Sequence, residues 1–183
     1  ELNGYGDPVY VNTPYAWHGH YENNPPFPAD WHNYVGQYRR TFTIGEEWKG
    51  KDIFLHVGSA TSNIRVWVNG KEVGYSEDSK LEARFNITKY VRQGDNLIAF
   101  EIFRWCDGTY LEDQDFWRMS GISRDVYVYS REKKRIEDVR VVASASGEAV
   151  LSAEVSKGVT EVSFDILDQR GNDVASVKVP VQK

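Results

Sequence analysis

An alternation of apolar and polar residues with a period of two constrains the fold of this chain more than any other feature. Successive side chains of a β-strand point to opposite faces of a sheet, so this period marks strands with one buried face. The alternation recurs from Tyr38 to the C-terminal end, and no segment shows a long helical period. We therefore predict an all-β fold of short strands and turns, with the strands packed as β-sandwiches.

Individual segments carry this prediction. Asn69-Gly70 separates the alternating runs 64–68 and 71–75, and both residues tolerate the positive φ angles of a tight hairpin turn. In the first run, Trp67 lies on the face opposite the apolar residues, and we expect it to pack under a neighbouring loop. Residues 93–96 read as a turn, and the almost continuously apolar run 97–105 predicts a central strand buried on both faces.

The composition changes beyond the charged run 131–135. Residues 136–183 contain no Trp, Tyr, Cys or Met and alternate through about four strands. An immunoglobulin-like sandwich needs about seven strands and about 100 residues. We therefore expect a first domain at 1–130, a linker at 131–135 and a partial immunoglobulin-like domain at 136–183.

Charge and hydropathy exclude two classes of partner. The net charge of −5 argues against nucleic acid, which binds basic surfaces. No stretch approaches the roughly 18 apolar residues of a membrane span, so no membrane partner is expected. The single cysteine, Cys106, excludes an internal disulfide.

The segment 104–121 concentrates the chemistry of the chain. It follows the most apolar predicted strand and brings acidic and aromatic side chains together at one edge of the sandwich. Aromatic rings pack on the apolar faces of sugars, carboxylates accept hydrogen bonds from sugar hydroxyls, and carboxylates also bind Na⁺, Mg²⁺ or Ca²⁺. A structural alternative stays open, in which the rings fill the core and arginines pair with the acids. The acids of this region are Glu101, Asp107, Glu112, Asp113 and Asp115.

These acids are not expected to catalyse glycoside hydrolysis by themselves. The two carboxylates of a glycosidase flank the scissile bond at about 5–5.5 Å or about 6.5–9.5 Å. Neighbours on one short loop rarely reach opposite faces of a sugar ring. We therefore assign no catalytic residue to this chain.

The segment 105–118, W-C-D-G-T-Y-L-E-D-Q-D-F-W-R, resembles the first-domain signature of glycoside hydrolase family 2, and more narrowly that of its large bacterial β-galactosidases. The resemblance covers residues 2 to about 129. Shorter matches support it in chain order: 4–12 (GYGDPVYVN), 23–28 (NNPPFP), 66–70 (VWVNG), 74–79 (GYSEDS) and 119–126 (MSGISRDV).

The resemblance implies a galactose-binding-like jelly-roll domain, then an immunoglobulin-like domain, then a TIM barrel that carries both catalytic Glu residues. It implies that Asn12, of the Tyr-x-Asn motif, contacts the substrate. It also implies that Asp115, the last acid of Glu-Asp-Gln-Asp, contacts galactose and ligates Na⁺. The family's Mg²⁺ ligands are placed on the barrel, so no metal is expected to bind tightly to this chain alone.

The implied activity is retaining hydrolysis of terminal non-reducing β-D-galactosides by a longer protein, expected to be a homo-oligomer. This part would shape the galactosyl pocket and would be inactive alone. Three alternatives stay open: a β-glucuronidase of the same layout, a β-mannosidase of the same layout, and a free-standing carbohydrate-binding module. Asn12 and the acidic loop 112–115 favour the galactosidase.

Overall fold

The computed structural model describes residues 24–28, 30, 33–112 and 119–182. The strands are β1 (Val35–Ile44), β2 (Asp52–Val57), β3 (Ala60–Thr61), β4 (Ile64–Val68), β5 (Lys71–Ser76), β6 (Ala83–Asn86), β7 (Gly94–Phe103), β8 (Gly121–Ile122), β9 (Val126–Arg131), β10 (Ile136–Ala143), β11 (Ala149–Val155), β12 (Glu161–Leu167) and β13 (Asp173–Pro180). Within the described ranges, the helical segments are two short 3-10 helices, Glu46–Trp48 and Asp107–Tyr110. No helix there is long and apolar enough to cross a membrane. The all-β prediction is confirmed.

Contacts divide the chain into two units, Glu1–Ser130 and Arg131–Lys183. In the first unit, one sheet has the antiparallel strand order β1-β7-β4-β5, and a second has the order β6-β2-β9. Strands β3 and β8 form a separate two-stranded ladder.

The core of the first unit lies on one face of its long strands. Alternate residues of β2 and β4 are fully buried, among them Leu55, Val57, Val66 and Val68, each 0% exposed. They form one cluster with Ile98 and other apolar residues of β7. The apolar face predicted from the alternation in β4 is therefore confirmed.

The Asn69-Gly70 hairpin is confirmed as well. Strands β4 and β5 pair antiparallel, and φ is 51° at Asn69 and 78° at Gly70. The Asn69 side chain does more than tolerate the turn, because its Nδ2 donates to Tyr90 O at 2.9 Å and to Asn96 Oδ1 at 2.8 Å. The turn is thus tied to the connection that precedes β7.

Two expectations about β7 were wrong. The strand is central in its sheet, but it is buried on one face only, and Leu97 on the other face is 38% exposed. The predicted turn at 93–96 also falls partly inside the strand, which begins at Gly94. The buried Asn96 side chain satisfies the backbone groups of Arg92 at the bend. Its Nδ2 donates to Arg92 O at 2.7 Å, and its Oδ1 accepts from Arg92 N at 2.9 Å.

Trp67 is half-buried on the outer face of the first sheet, in register with Ala99 of β7 and Glu72 of β5. Its ring is therefore not left largely open to solvent. The expectation that a loop covers it stays a prediction.

The second unit consists of two antiparallel hairpins, β10–β11 and β12–β13. The predicted strands are confirmed in both. The β12–β13 register places Val162 opposite Val179 and Phe164 opposite Val177, so one face of this hairpin is apolar. Among the described hydrophobic residues of this unit, only Val162 is buried, with 9% of its surface exposed.

Candidate functional site

The two residues assigned to substrate by resemblance, Asn12 and Asp115, lie outside the described residues, and so does Asp113. The described part of the segment 104–121 runs from Arg104 to Glu112 and resumes at Met119. The structure therefore reports how the flanks of positions 113–118 are held.

The beginning of the loop is fixed by Asn33. Its side chain bonds the backbone of Trp105 twice: Oδ1 accepts from Trp105 N at 2.8 Å, and Nδ2 donates to Trp105 O at 3.1 Å. Trp105 is 9% exposed. The Arg104 guanidinium lies 4.8 Å from the Trp105 ring and 5.8 Å from the Tyr34 ring. Thus Arg104, which the structural alternative would pair with an acid, contacts aromatic faces.

The loop continues as a 3-10 helix with its own cap. Cys106 N donates to Thr109 Oγ1 at 3.0 Å, and Thr109 N donates to Cys106 O at 3.1 Å. At the end of the helix, Tyr110 Oη donates to Phe27 O at 2.9 Å. Residues 106–110 are therefore held by local bonds and by two long-range bonds, from Tyr110 Oη to Phe27 O and from Cys106 Sγ to Ser62 O at 3.7 Å.

Glu112 anchors the last described residues before position 113. Its carboxylate accepts from Ser79 N at 3.1 Å and from the Ser79 hydroxyl. Ser79 is itself 2% exposed, and its carbonyl accepts from the Ser59 hydroxyl at 2.6 Å. The Ser79 hydroxyl also lies 3.3 Å from Ser62 O. A buried serine network thus connects this flank to residues 59–62.

The other flank reaches the same residues. Strand β8 pairs with β3, with Ile122 opposite Ala60 and Gly121 opposite Thr61. Ser123 Oγ then donates to Ser59 Oγ at 3.0 Å. Both sides of positions 113–118 are therefore tied to one short segment at the edge of the sandwich, which is how a loop gains the precision that a binding site requires.

An acidic cluster lies beside the 3-10 helix. Ligand atoms of Glu77, Cys106 and Asp107 all lie within 4.8 Å of one another. Burial raises the pKa of Glu77, and its hydrogen bond to Asp107 together with the charges of Asp107 and Glu112 raises that pKa further; the bond that Glu77 accepts from Tyr75 opposes this rise. Burial also raises the pKa of the Cys106 thiol. Glu77 and Asp107 thus form a close acid pair.

The geometry of this pair limits its chemistry. A retaining glycosidase needs about 5–5.5 Å between its carboxyl groups with the sugar bond between them. The carboxylate oxygens of Glu77 and Asp107 lie within 4.8 Å of each other, closer than this separation. Their oxygens are instead suited to hydroxyl donors or to a hard cation.

Sequence reasoning on the loop 104–121 missed Glu77 because it lies about thirty residues earlier, just after β5. It did stand in one of the matched motifs, GYSEDS at 74–79. Tyr75 of the same motif donates its hydroxyl to Glu77, and burial, followed by this bond, raises the Tyr75 pKa above its usual range.

Comparison with known proteins gives a family match and relatives along the whole chain. The family model described as "Glycosyl hydrolases family 2, sugar binding domain" matches residues 1–132. A β-galactosidase of Priestia megaterium is 41% identical over 100% of this chain and 18% of its own length. A β-galactosidase of Clostridium acetobutylicum is 38% identical over 98% of this chain and 21% of its own length. The chain thus spans about a fifth of these relatives.

Solved structures share the fold. A β-D-glucuronidase of Dictyoglomus thermophilum superimposes with a TM-score of 0.65 at 27% identity, covering 80% of this chain and 30% of its own. The sequence relatives and this structural neighbour therefore carry different activities in their names.

Proposed function

This chain belongs to glycosyl hydrolase family 2, and we propose that it is the sugar-binding part of a β-galactosidase that hydrolyses terminal non-reducing β-D-galactosides. The observation that carries the proposal is the 41% identity to a β-galactosidase along the entire chain, the region beyond residue 132 included. Catalysis would reside elsewhere in the longer protein, on a barrel bearing two catalytic Glu residues.

In this proposal the acidic loop contributes contacts rather than chemistry. Asp115 would accept a hydrogen bond from galactose and ligate Na⁺, and Asn12 would contact the same sugar. Mg²⁺ would be held on the barrel. The described residues support this proposal by fixing the backbone before position 113. Asn33 hydrogen-bonds the backbone of Trp105, and Glu112 hydrogen-bonds Ser79.

A β-glucuronidase is the second candidate, because the superimposed structure from Dictyoglomus thermophilum is one. The identity favours the galactosidase, at 41% over the whole chain against 27% over 80% of it. The substrates differ at C4, where the hydroxyl is axial in galactosides and equatorial in glucuronides, and at C6, which is a hydroxymethyl in galactosides and a carboxylate in glucuronides. The acids of loop 107–115 would repel a glucuronide carboxylate and accept bonds from neutral hydroxyls.

The test is to express the longer protein and to measure kcat/KM with the 4-nitrophenyl β-galactoside, β-glucuronide and β-mannoside. We expect the galactoside to be preferred on the order of 100-fold or more, since polar mismatches in a sugar site are strongly rejected. Preference for the glucuronide or the mannoside would overturn the proposal.

The 183-residue chain is the matched control. Rigorously purified, it should turn over none of the three substrates, because its described acids form no catalytic pair. Binding without turnover by the longer protein would instead indicate a carbohydrate-binding module and would also overturn the proposal.

A further inference from the structure

A second pocket of about 710 Å³ lies on the face of the β6-β2-β9 sheet that is turned away from the core. Among the described residues, its lining has no member in common with the acidic cluster or with loop 104–121. Its lining residues are His56, Gly58, Leu81, Glu82, Arg124, Asp125 and Tyr127.

One wall of this pocket is formed by a stacked aromatic pair. Tyr127 stacks on His56 with ring centroids 4.4 Å apart and 16° between the planes, yet it stays 48% exposed. The next pair along the two strands, Phe54 and Tyr129, is stacked in the same way at 5.5 Å and 23°. Because neighbouring pairs hold its orientation, the Tyr127 ring offers a fixed apolar plane at little entropic cost.

Polar groups surround this plane in fixed positions. His56 Nδ1 lies 3.2 Å from a carboxylate oxygen of Glu82, whose side chain is 61% exposed. Arg124 Nη1 donates to Lys80 O at 2.6 Å and to Gly58 O at 3.5 Å, which holds the guanidinium at the edge of the pocket. Asp125 adds a second exposed carboxylate.

The absence of a side chain at residue 58 keeps the pocket open. A Cβ on Gly58 would lie 2.9 Å from the Cβ of Arg124 and 3.4 Å from Nε2 of His56. Any larger residue would therefore fill the space between these two groups.

The charges select the class of ligand. Two carboxylates and one guanidinium line the pocket, and one carboxylate already faces the imidazole. Such a lining has no cationic surplus to bind an anion, but it offers both acceptors and donors to hydroxyl groups. An exposed aromatic plane beside such groups matches a pyranose, which has an apolar C–H face and a rim of hydroxyls. We propose that this pocket is a binding site for neutral saccharides, and the proposal does not depend on the activity proposed above.

The test uses the ¹⁵N-labelled 183-residue chain, titrated with methyl β-D-galactopyranoside and with lactose. We expect saturable shifts of the Gly58, Leu81 and Asp125 amides with a Kd on the order of 1 mM, the range for a small open site. The pocket is judged by these amides alone, so failure of the galactosidase proposal does not affect the result.

Three variants sharpen the test. Tyr127→Leu keeps the apolar volume but removes the plane, and should weaken binding about 5- to 10-fold. Glu82→Gln removes an exposed carboxylate and should weaken it about 3- to 10-fold. Glu72→Gln is the matched control, since Glu72 is similarly exposed at 56% and pairs with Arg65 on the other sheet; its Kd should stay within about 2-fold.

Absence of saturable shifts at these amides with either sugar would overturn the proposal. Larger shifts with methyl β-D-glucuronide or inorganic phosphate would identify an anion site and would overturn it too. An equal loss in Glu82→Gln and Glu72→Gln would do the same. If Tyr127→Leu lowers the unfolding midpoint, Glu82→Gln decides the outcome.

Discussion

The two units of this chain share the same alternating pattern and differ in how much of it they bury. In Glu1–Ser130, the apolar positions of β2 and β4 are almost completely shielded from solvent. In Arg131–Lys183, the apolar face of β12–β13 is largely open, with Val177 49% and Val179 41% exposed. Alternation therefore determines which face of a strand is apolar, and it does not determine what covers that face.

The difference should appear most strongly in a pair of identical substitutions. Leu55→Ala removes a fully buried side chain and should lower the free energy of unfolding of the first unit by about 2–5 kcal/mol. Leu167→Ala, at a site 55% exposed, should change stability by less than about 0.5 kcal/mol. Urea unfolding followed by Trp fluorescence measures the first, because all six Trp precede residue 131. Amide exchange of β12 measures the second.

A comparable loss in both variants would contradict the comparison, because it would mean that Leu167 is covered in solution. If Leu55→Ala lowered the free energy of unfolding only slightly, the core of the first unit would have to relax into the space left by the deleted side chain.

Two glycines with positive φ, one in each unit, test the same contrast. Gly121 has φ +97°, and a Cβ there would lie 3.0 Å from Tyr38 Oη, so Gly121→Ala should cost about 1–3 kcal/mol and weaken the β3–β8 ladder. Gly147 has φ +92° with open space around it, so Gly147→Ala should cost about 1 kcal/mol within the β10–β11 hairpin. The Trp-monitored transition should shift only in Gly121→Ala. A shift in Gly147→Ala would show that the two units unfold together.

The smallest expected effects are electrostatic and have opposite signs in the two units. The pKa of Glu77 is raised in the folded chain. Its contribution to stability is therefore fully present below the ordinary pKa of 4.5, and it is lost as the pH rises through the pKa of the folded state. Glu77→Gln should therefore stabilise the first unit at pH 7 by up to about 1 kcal/mol, and by nothing below pH 4.

In the second unit, hydrogen bonds from Asn172 lower the pKa of Asp168. Its contribution is present above the ordinary value of 3.8 and is lost as the pH falls. Asp168→Asn should therefore loosen the β12–β13 turn at pH 7 and should loosen it less at pH 3. Amide exchange of Arg170 and Asn172 at both pH values would check this, and an identical pH response in the two variants would be contrary to expectation.

Much of the fold was predictable because it depends on local chemistry. The period of two located the strands, and Asn69-Gly70 located a hairpin whose φ angles are both positive. The extent of burial was not predictable: the apolar run of β7 suggested two covered faces, yet Leu97 is exposed. A strand's own composition does not reveal whether a second layer packs on its other side.

The candidate site was predictable to a smaller extent. Residues 105–112 were singled out by their types, whereas Glu77 and Ser79 join them from another strand end. Whether residues from two strand ends come into contact depends on the order of the strands in the sheet. The apolar period and the motif spacing of the sequence do not determine that order. The roles of Asn12 and Asp115 came from resemblance and remain predictions.

The most direct test of the proposed function is a Na⁺ titration of the longer enzyme carrying Asp115→Asn, with Asp113→Asn as its matched control. Replacing a charged acceptor by an amide of equal size removes about 1.5–3 kcal/mol of hydrogen-bond energy. We therefore predict a loss of about 10- to 100-fold in kcat/KM together with a weakened Na⁺ response for Asp115→Asn. Asp113→Asn should largely retain its Na⁺ response. Equal losses in both variants, with the Na⁺ response intact, would make the acidic loop a folding element and contradict its role in binding the ion and the sugar.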